Sequence, residues 1–280
     1  MRRILALQAL VLGSLLSAGT IRSEEPPRSS GALVIVGGGT IPDDVVKRAL
    51  ELAGGEKARV LVIPQASEDP ETPRLAAEFW TKAGAKSVAV LSLADAAAAE
   101  KSVAGADLIW IAGGDQNRLM KALENTRLPE AIRARHAAGA VLGGTSAGAA
   151  VMSATMITGD AELAGVTAGA TKTAVGLGLW PGALVDQHFL SRQRFNRLLS
   201  AVLDHPDLVG VGIDEGTAVV VTKSAVQVFG KSSVLILDAR RAKVAPAAHG
   251  EASSGSDLTL HILRAGMTWS FGEADQGKAR

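Results

Sequence analysis

The chain has 280 residues, 47% of them hydrophobic, enough to bury one large core. Its 29 basic and 28 acidic residues leave a net charge of +1, which excludes the one-signed surface that a polyanion such as nucleic acid demands. Cysteine is absent, so disulfides, thiolate metal sites and lipid attachment through Cys are excluded. Five Phe, four Trp and no Tyr leave little for an aromatic stacking platform.

The chain opens with Arg2 and Arg3, an apolar run over 4–16, and the small residues Ser17, Ala18 and Gly19. This pattern predicts a secretory signal peptide over 1–22 and export to the periplasm or the medium. The apolar run is too short to span a bilayer, so no membrane partner is expected once the signal is removed. Residues 23–30, SEEPPRSS, read as a linker, and residues 31–280 as a single domain.

From Ala32 onward apolar runs alternate with amphipathic segments. The runs at 32–39, 58–67, 86–93, 107–115 and 140–144 predict strands. The segments at 43–54, 71–85, 116–126 and 128–139 predict helices, with a short Ala-rich helix after Leu93. Strands that alternate with helices and are apolar throughout predict an α/β fold: a mainly parallel sheet covered by helices on both faces. Toward the C-terminus AVVVT, AVQVFG, SVLILDA and LTLHILRAG are short strands joined by short turns. They predict an antiparallel extension of that sheet or a small sheet packed beside it.

The strand at 140–144 runs into Gly144-Thr145-Ser146-Ala147-Gly148 and then a small-residue helix start. This is a nucleophile elbow, a turn so sharp that only small neighbours fit, and it makes Ser146 the candidate nucleophile. The Ala147 N–H then points to where an oxyanion forms. In GGDQ, Gly114 follows another strand end and is the candidate second oxyanion donor. The run Gly37-Gly38-Gly39 fails the dinucleotide spacing because Pro42 takes the third glycine position, so nucleotide binding is rejected.

A serine nucleophile needs a base. His136 falls on a charged helix, His205 in a surface turn, His249 in a loop and His261 among apolar neighbours on a late strand. His188 ends the run GALVDQHF, where a parallel strand delivers it to the edge of the site. The acid that orients it is Asp214 or Glu215 in IDEG, with Asp160 and Glu162 as rivals. Asp214 and Glu215 cannot both face the site if the strand continues through them, because side chains alternate. The order serine, histidine, acid differs from that of the α/β-hydrolases. Arg192, Arg194 and Arg197 follow the histidine directly. Arg194 and Arg197 share a helical face, and arginine forks suit carboxylate recognition.

Five fragments in order, IVGGG, IWIAGGDQ, GGTSAGAAVMS, GLGLWPGALVDQHFLSRQRFNRL and GVGIDEGTA, resemble the cyanophycinases, in the serine peptidase group that also holds aspartyl dipeptidase E. The resemblance covers nearly all of the chain after the signal. It implies a class I glutamine-amidotransferase-like (flavodoxin-like) fold and a triad of Ser146, His188 and Glu215. It also implies substrate contacts from Gln116, Asp186, Gln187, Arg192, Arg194 and Arg197, a homodimer, and no cofactor or metal. The implied reaction is hydrolysis of cyanophycin, a polyaspartate bearing arginine on each side-chain carboxyl, to β-Asp-Arg dipeptides. An aspartyl or isoaspartyl dipeptidase and a non-catalytic binding protein on the same fold are the alternatives. The export signal is the departure from a storage-granule enzyme.

Overall fold

The computed structural model describes residues 31–159, 164–223 and 225–270. The expected signal and linker, the rival acids Asp160 and Glu162, and residues 271–280 lie outside the described residues.

The first half of the chain alternates as its sequence predicts. In order come β1 (Leu33–Val36), α1 (Asp43–Leu52), β2 (Arg59–Ile63), α2 (Thr72–Lys82), β3 (Ser87–Val90), α3 (Ala96–Gly105), β4 (Leu108–Ile111), α4 (Gln116–Leu123), α5 (Leu128–Ala137) and β5 (Val141–Thr145). A short α6 (Ala147–Ala150) follows β5 without a loop. The strands β1, β5, β4, β2 and β3 are neighbours in that order and all parallel.

The inner strands β1 and β4 are apolar and buried along their whole length because both faces are covered, whereas β3, at the edge of the sheet, is largely exposed. Alternate residues divide between two cores. Val34, Val36, Val60, Val62, Leu108 and Trp110 pack with Val45, Val46, Ala49 and Leu50 of α1 and Trp80 of α2. Leu33, Ile35, Leu61, Ile63, Ile109 and Ile111 pack on the opposite side with Val103 of α3, Leu119 of α4 and Ile132 of α5.

The second half holds β6 (Thr155–Ile157), β7 (Thr173–Val175), β8 (Ala183–Gln187), α7 (Phe195–Asp204), β9 (Val209–Ile213), β10 (Thr217–Thr222), β11 (Ala225–Gly230), β12 (Ser233–Asp238), β13 (Lys243–Ala245), β14 (Ser254–Ser256), β15 (Thr259–Arg264) and β16 (Thr268–Ser270). Both readings of the late strands occur together. Strands β10, β11 and β16 extend the main sheet antiparallel beyond β1. Strands β12 and β15 join β9 and β8 in a separate four-stranded sheet, in which only β8 and β9 are parallel.

Val185, Val211, Ile213, Val234 and Ile236 of this second sheet enter the same core as the main sheet's inner face. Its outer face packs Leu184, Leu235 and Leu237 against Leu198, Ala201 and Val202 of α7. The chain therefore leaves the second sheet at Ile213 and enters the main sheet at Thr217, with residues 214–216 as the crossing. Among the described residues no helix is long and apolar enough to cross a membrane.

Gly143 in β5 is needed for a packing reason. A Cβ there would lie 2.5 Å from the indole of Trp110, which is itself held edge-on by Trp80 at a centroid distance of 5.0 Å. Overpacking a filled core costs about 1–3 kcal/mol. Gly143→Ala is therefore expected to lower the unfolding free energy by that amount, read by equilibrium denaturation as a lower urea midpoint with an unchanged m-value.

Candidate active site

The main sheet brings Ser146 to its C-terminal edge. Ser146 has φ 54° and ψ −113°, between the end of β5 and the start of α6. A serine in the left-handed region costs about 1–3 kcal/mol and persists only where its surroundings enforce it. The enforcing contacts are visible. The Ser146 N–H donates to the Val36 carbonyl at 3.1 Å. Gly148 sits so close to β4 that a Cβ would lie 2.3 Å from the Ile111 carbonyl oxygen.

The second sheet brings His188, one residue past β8. Its backbone is also left-handed, with φ 49°. Its N–H donates to the Gly37 carbonyl at 2.6 Å, and the Phe189 N–H donates to the Ile213 carbonyl at 3.2 Å. The imidazole lies against Gly38, where a Cβ would come within 2.2 Å of the ring. The glycine run thus makes room for a histidine, with Gly38 at φ 108°.

The crossing between the sheets brings Glu215. His188 Nδ1 lies 2.5 Å from Glu215 Oε1, and His188 Nε2 lies 2.8 Å from Ser146 Oγ. With Nδ1–H donating to the carboxylate, Nε2 is left to accept the Ser146 O–H. Because β9 ends at Ile213, the strand does not continue through IDEG. Asp214 turns away from the imidazole and accepts hydrogen bonds from Leu190 and Ser191 instead.

Burial lowers the His188 pKa below its ordinary value. The Glu215 hydrogen bond and charge pull it back up, while the charges of Arg192 and Arg194 push it further down. The imidazole is therefore neutral at pH 7, the state in which it accepts a proton.

A cavity of about 140 Å³ opens beside Ser146, lined by Gly114, Asp115, Gln116, Asn117, Gly159, Gln187, Arg192 and Arg194. It is smaller than the roughly 300–1,000 Å³ typical of sites that enclose drug-sized ligands. Gln116 is fixed at its wall by donating from Nε2 to the Ile157 carbonyl at 3.0 Å. Gly114 has φ 137° and backs onto the Ala66 carbonyl, a close approach that only glycine permits. Asp115 caps α4 by accepting from the N–H groups of Asn117 and Arg118.

The arginines divide in a way their sequence spacing does not reveal. Arg192 is exposed in the turn before α7 and lines the cavity. Arg194 precedes α7 rather than sharing a helical face with Arg197. It is buried and donates from Nη1 to the Gln187 carbonyl at 2.6 Å and to Gln187 Oε1 at 2.7 Å. Arg197 and Asp186 do not line the cavity. They form a buried bidentate pair, with Nε to Oδ2 at 2.8 Å and Nη2 to Oδ1, and Arg197 Nη1 donates to the Gly159 carbonyl at 2.8 Å. Matching residue types to a ligand missed this because an Arg–Asp pair satisfies itself as readily as it binds substrate. The cavity residues Asn117 and Gly159 carry no sequence motif of their own, and Asp115 is read only as part of GGDQ. Among the described residues no three His, Asp or Glu side chains come together as metal ligands.

Comparison with known proteins places this geometry. A match to peptidase family S51 spans residues 33–229. The chain belongs to peptidase family S51. It is a serine-type peptidase. A cyanophycinase from Geminocystis herdmanii is 39% identical over 230 residues, covering 79% of this chain and 84% of that protein. A cyanophycinase from Trichormus variabilis is 35% identical over 260 residues, covering 89% and 87%. The crystal structure of a peptidase from an acI-B1 actinobacterium aligns with a TM-score of 0.62 and 26% identity, over 88% of this S51 chain and 98% of that one.

A histidine acts as a base only when neutral, which sets the sign of the pH dependence that a catalytic role for His188 would give. Activity of the S51 peptidase is expected to be full above the His188 pKa and to fall as pH drops through it, at a midpoint below 6.5. In Arg192→Gln that midpoint is expected to rise, because a cation that disfavours protonation is gone. The acid limb of kcat/KM against pH reads both values.

Proposed function

We propose that this peptidase is an exported serine exopeptidase that hydrolyses cyanophycin to β-Asp-Arg dipeptides through an acyl-enzyme on Ser146. The observation that carries the reading is the continuous relay Ser146 Oγ–His188 Nε2–His188 Nδ1–Glu215 at 2.8 and 2.5 Å, in a chain whose relatives across most of its length are cyanophycinases. Export rests on the basic and apolar pattern of residues 1–22. A homodimer is the family expectation, tested by light scattering.

In this reading His188 takes the Ser146 proton as Oγ attacks the backbone carbonyl of the substrate. The N–H groups of Ala147 and Gly114 receive the oxyanion, each worth about 10²–10³-fold in turnover. His188 returns the proton to the departing amine, then activates the water that releases the acyl group. Glu215 holds the tautomer and stabilises the imidazolium. Arg192 and Arg194, with Gln116 and Gln187, present donors to substrate carboxylates at the cavity. Asp186 and Arg197 act behind them, fixing α7 and residue 159.

Ser146→Ala is expected to fold normally and lose on the order of a million-fold in turnover on purified cyanophycin, read by mass spectrometry of the released dipeptide. α- and β-aspartyl dipeptides assayed in parallel separate this reading from a dipeptidase. Their cleavage with cyanophycin left intact would replace it.

Arg192→Gln and Arg197→Gln are expected to fail differently. Losing one charge-assisted carboxylate contact, about 1.5–3 kcal/mol, lowers kcat/KM for the aspartyl substrate about 10- to 100-fold in Arg192→Gln and spares a neutral ester. Arg197→Gln takes the bidentate partner from the buried Asp186 carboxylate and leaves it only Arg194 Nη1 at 3.8 Å, costing up to about 3–5 kcal/mol of stability, and lowers both activities together. Steady-state kinetics on the two substrates, with thermal unfolding, distinguishes the two.

A further inference from the structure

Residues 188–194 carry His188, Arg192 and Arg194 yet belong to no strand or helix. Two of them, His188 and Gln193, are left-handed, with φ 49° and 54°. A turn of this kind has no ladder to hold it, so its N–H groups need other acceptors. Asp214 supplies one. Its Oδ1 accepts from the Leu190 N–H at 3.1 Å, the Ser191 N–H at 2.9 Å and the Ser191 hydroxyl at 2.7 Å. Its Oδ2 accepts from the Ser232 hydroxyl at 2.8 Å.

Burial pushes the Asp214 carboxyl up, but the hydrogen bonds from Ser191 and Ser232 together outweigh it and hold the group below the usual carboxylate value. Ser232, just before β12, also donates its N–H to Thr217 Oγ1 at 2.9 Å, and Thr217 Oγ1 donates to the Glu215 carbonyl at 3.3 Å. One carboxylate and three hydroxyls, of Ser191, Ser232 and Thr217, therefore fasten three things together: the turn of the base, the crossing that holds the acid, and the turn into β12.

We propose that Asp214, braced by Ser232, is a positioning residue that holds turn 188–194 in the conformation where His188 meets Ser146 and Arg192 faces the cavity. The proposal rests on the catalytic reading of Ser146 and His188. Asp214 touches no reacting atom. Its work is to gather three donors from two consecutive residues of the turn on one oxygen while the other oxygen is anchored to the second sheet. A carboxylate suits this because both of its oxygens only accept. An asparagine keeps one strong acceptor and turns the other position into a donor.

The test is the rate at which a fluorophosphonate labels Ser146. That reaction needs an activated serine and no contact with the cavity arginines. Wild type, Ser146→Ala, Asp214→Asn and Ser232→Ala are compared per folded molecule, with thermal unfolding recorded for each. Asp214→Asn is expected to slow labelling about 10- to 100-fold, because a displacement near 1 Å at the reacting groups costs about 100-fold. Ser232→Ala, which leaves the Asp214 charge and the turn contacts in place, is expected to slow it about 3- to 10-fold. Hydrolysis of an aspartyl substrate is expected to fall at least as far in both, since Arg192 moves with the turn.

Wild-type labelling rates in folded Asp214→Asn and Ser232→Ala would overturn the proposal, and if Asp214→Asn does not fold, Ser232→Ala decides alone. Failure of the wild type to label, or labelling of Ser146→Ala at the same rate, would overturn the catalytic reading instead.

Discussion

The hydrogen bond from the His188 N–H to the Gly37 carbonyl joins the end of one sheet to the end of another. The relay depends on that join. Ser146 belongs to the main sheet, His188 to the second sheet, and Glu215 to the crossing between them. Proton transfer tolerates errors of only a few tenths of an ångström, so the two sheets must be held in register at this edge. A shared core behind the edge does most of this, since Val185, Val211 and Ile213 pack among the residues of the main sheet. The glycines at 37 and 38 let the two strand ends meet without a side chain between them.

Much of the architecture was legible because periodicity and burial agree. Each expected run falls on a parallel strand; the first four lose one residue at the N-terminal end and three or four at the C-terminal end, where the runs had taken in turn residues, and the fifth shifts by one. The elbow was legible for the same reason: a strand, a glycine-flanked serine and a small-residue helix form a local pattern. Which late strands join which sheet was not legible. Short strands at the end of a chain look alike whether they pair with β1 or with β9, and only tertiary packing assigns them. The role of Asp214 was hidden by the same fact. Alternation along a strand says that neighbours diverge, but not that the strand has already ended.

The arginines mark the limit of reading chemistry from residue type. On paper Arg194 and Arg197 share a helical face that Arg192 does not. In the structure the surroundings of the three grade from exposed, through buried against Gln187, to enclosed with Asp186. A buried bidentate pair contributes little net stability but is costly to break. It therefore works less as a fastening than as a condition on the sequence: Asp186 and Arg197 must be kept or lost together.

Ser146 and His188 both occupy backbone conformations that their side chains disfavour. A domain of ordinary stability has only about 5–15 kcal/mol to spare, and two such residues consume an appreciable part of it. Glycine would relieve the strain at either position, and would remove the reacting group with it. Selection for heat resistance alone would thus favour descendants that keep the two sheets and abandon the chemistry. To keep a side chain at both positions in such a fold would take a pressure that acts on turnover, continuously, against the easier thermodynamic course.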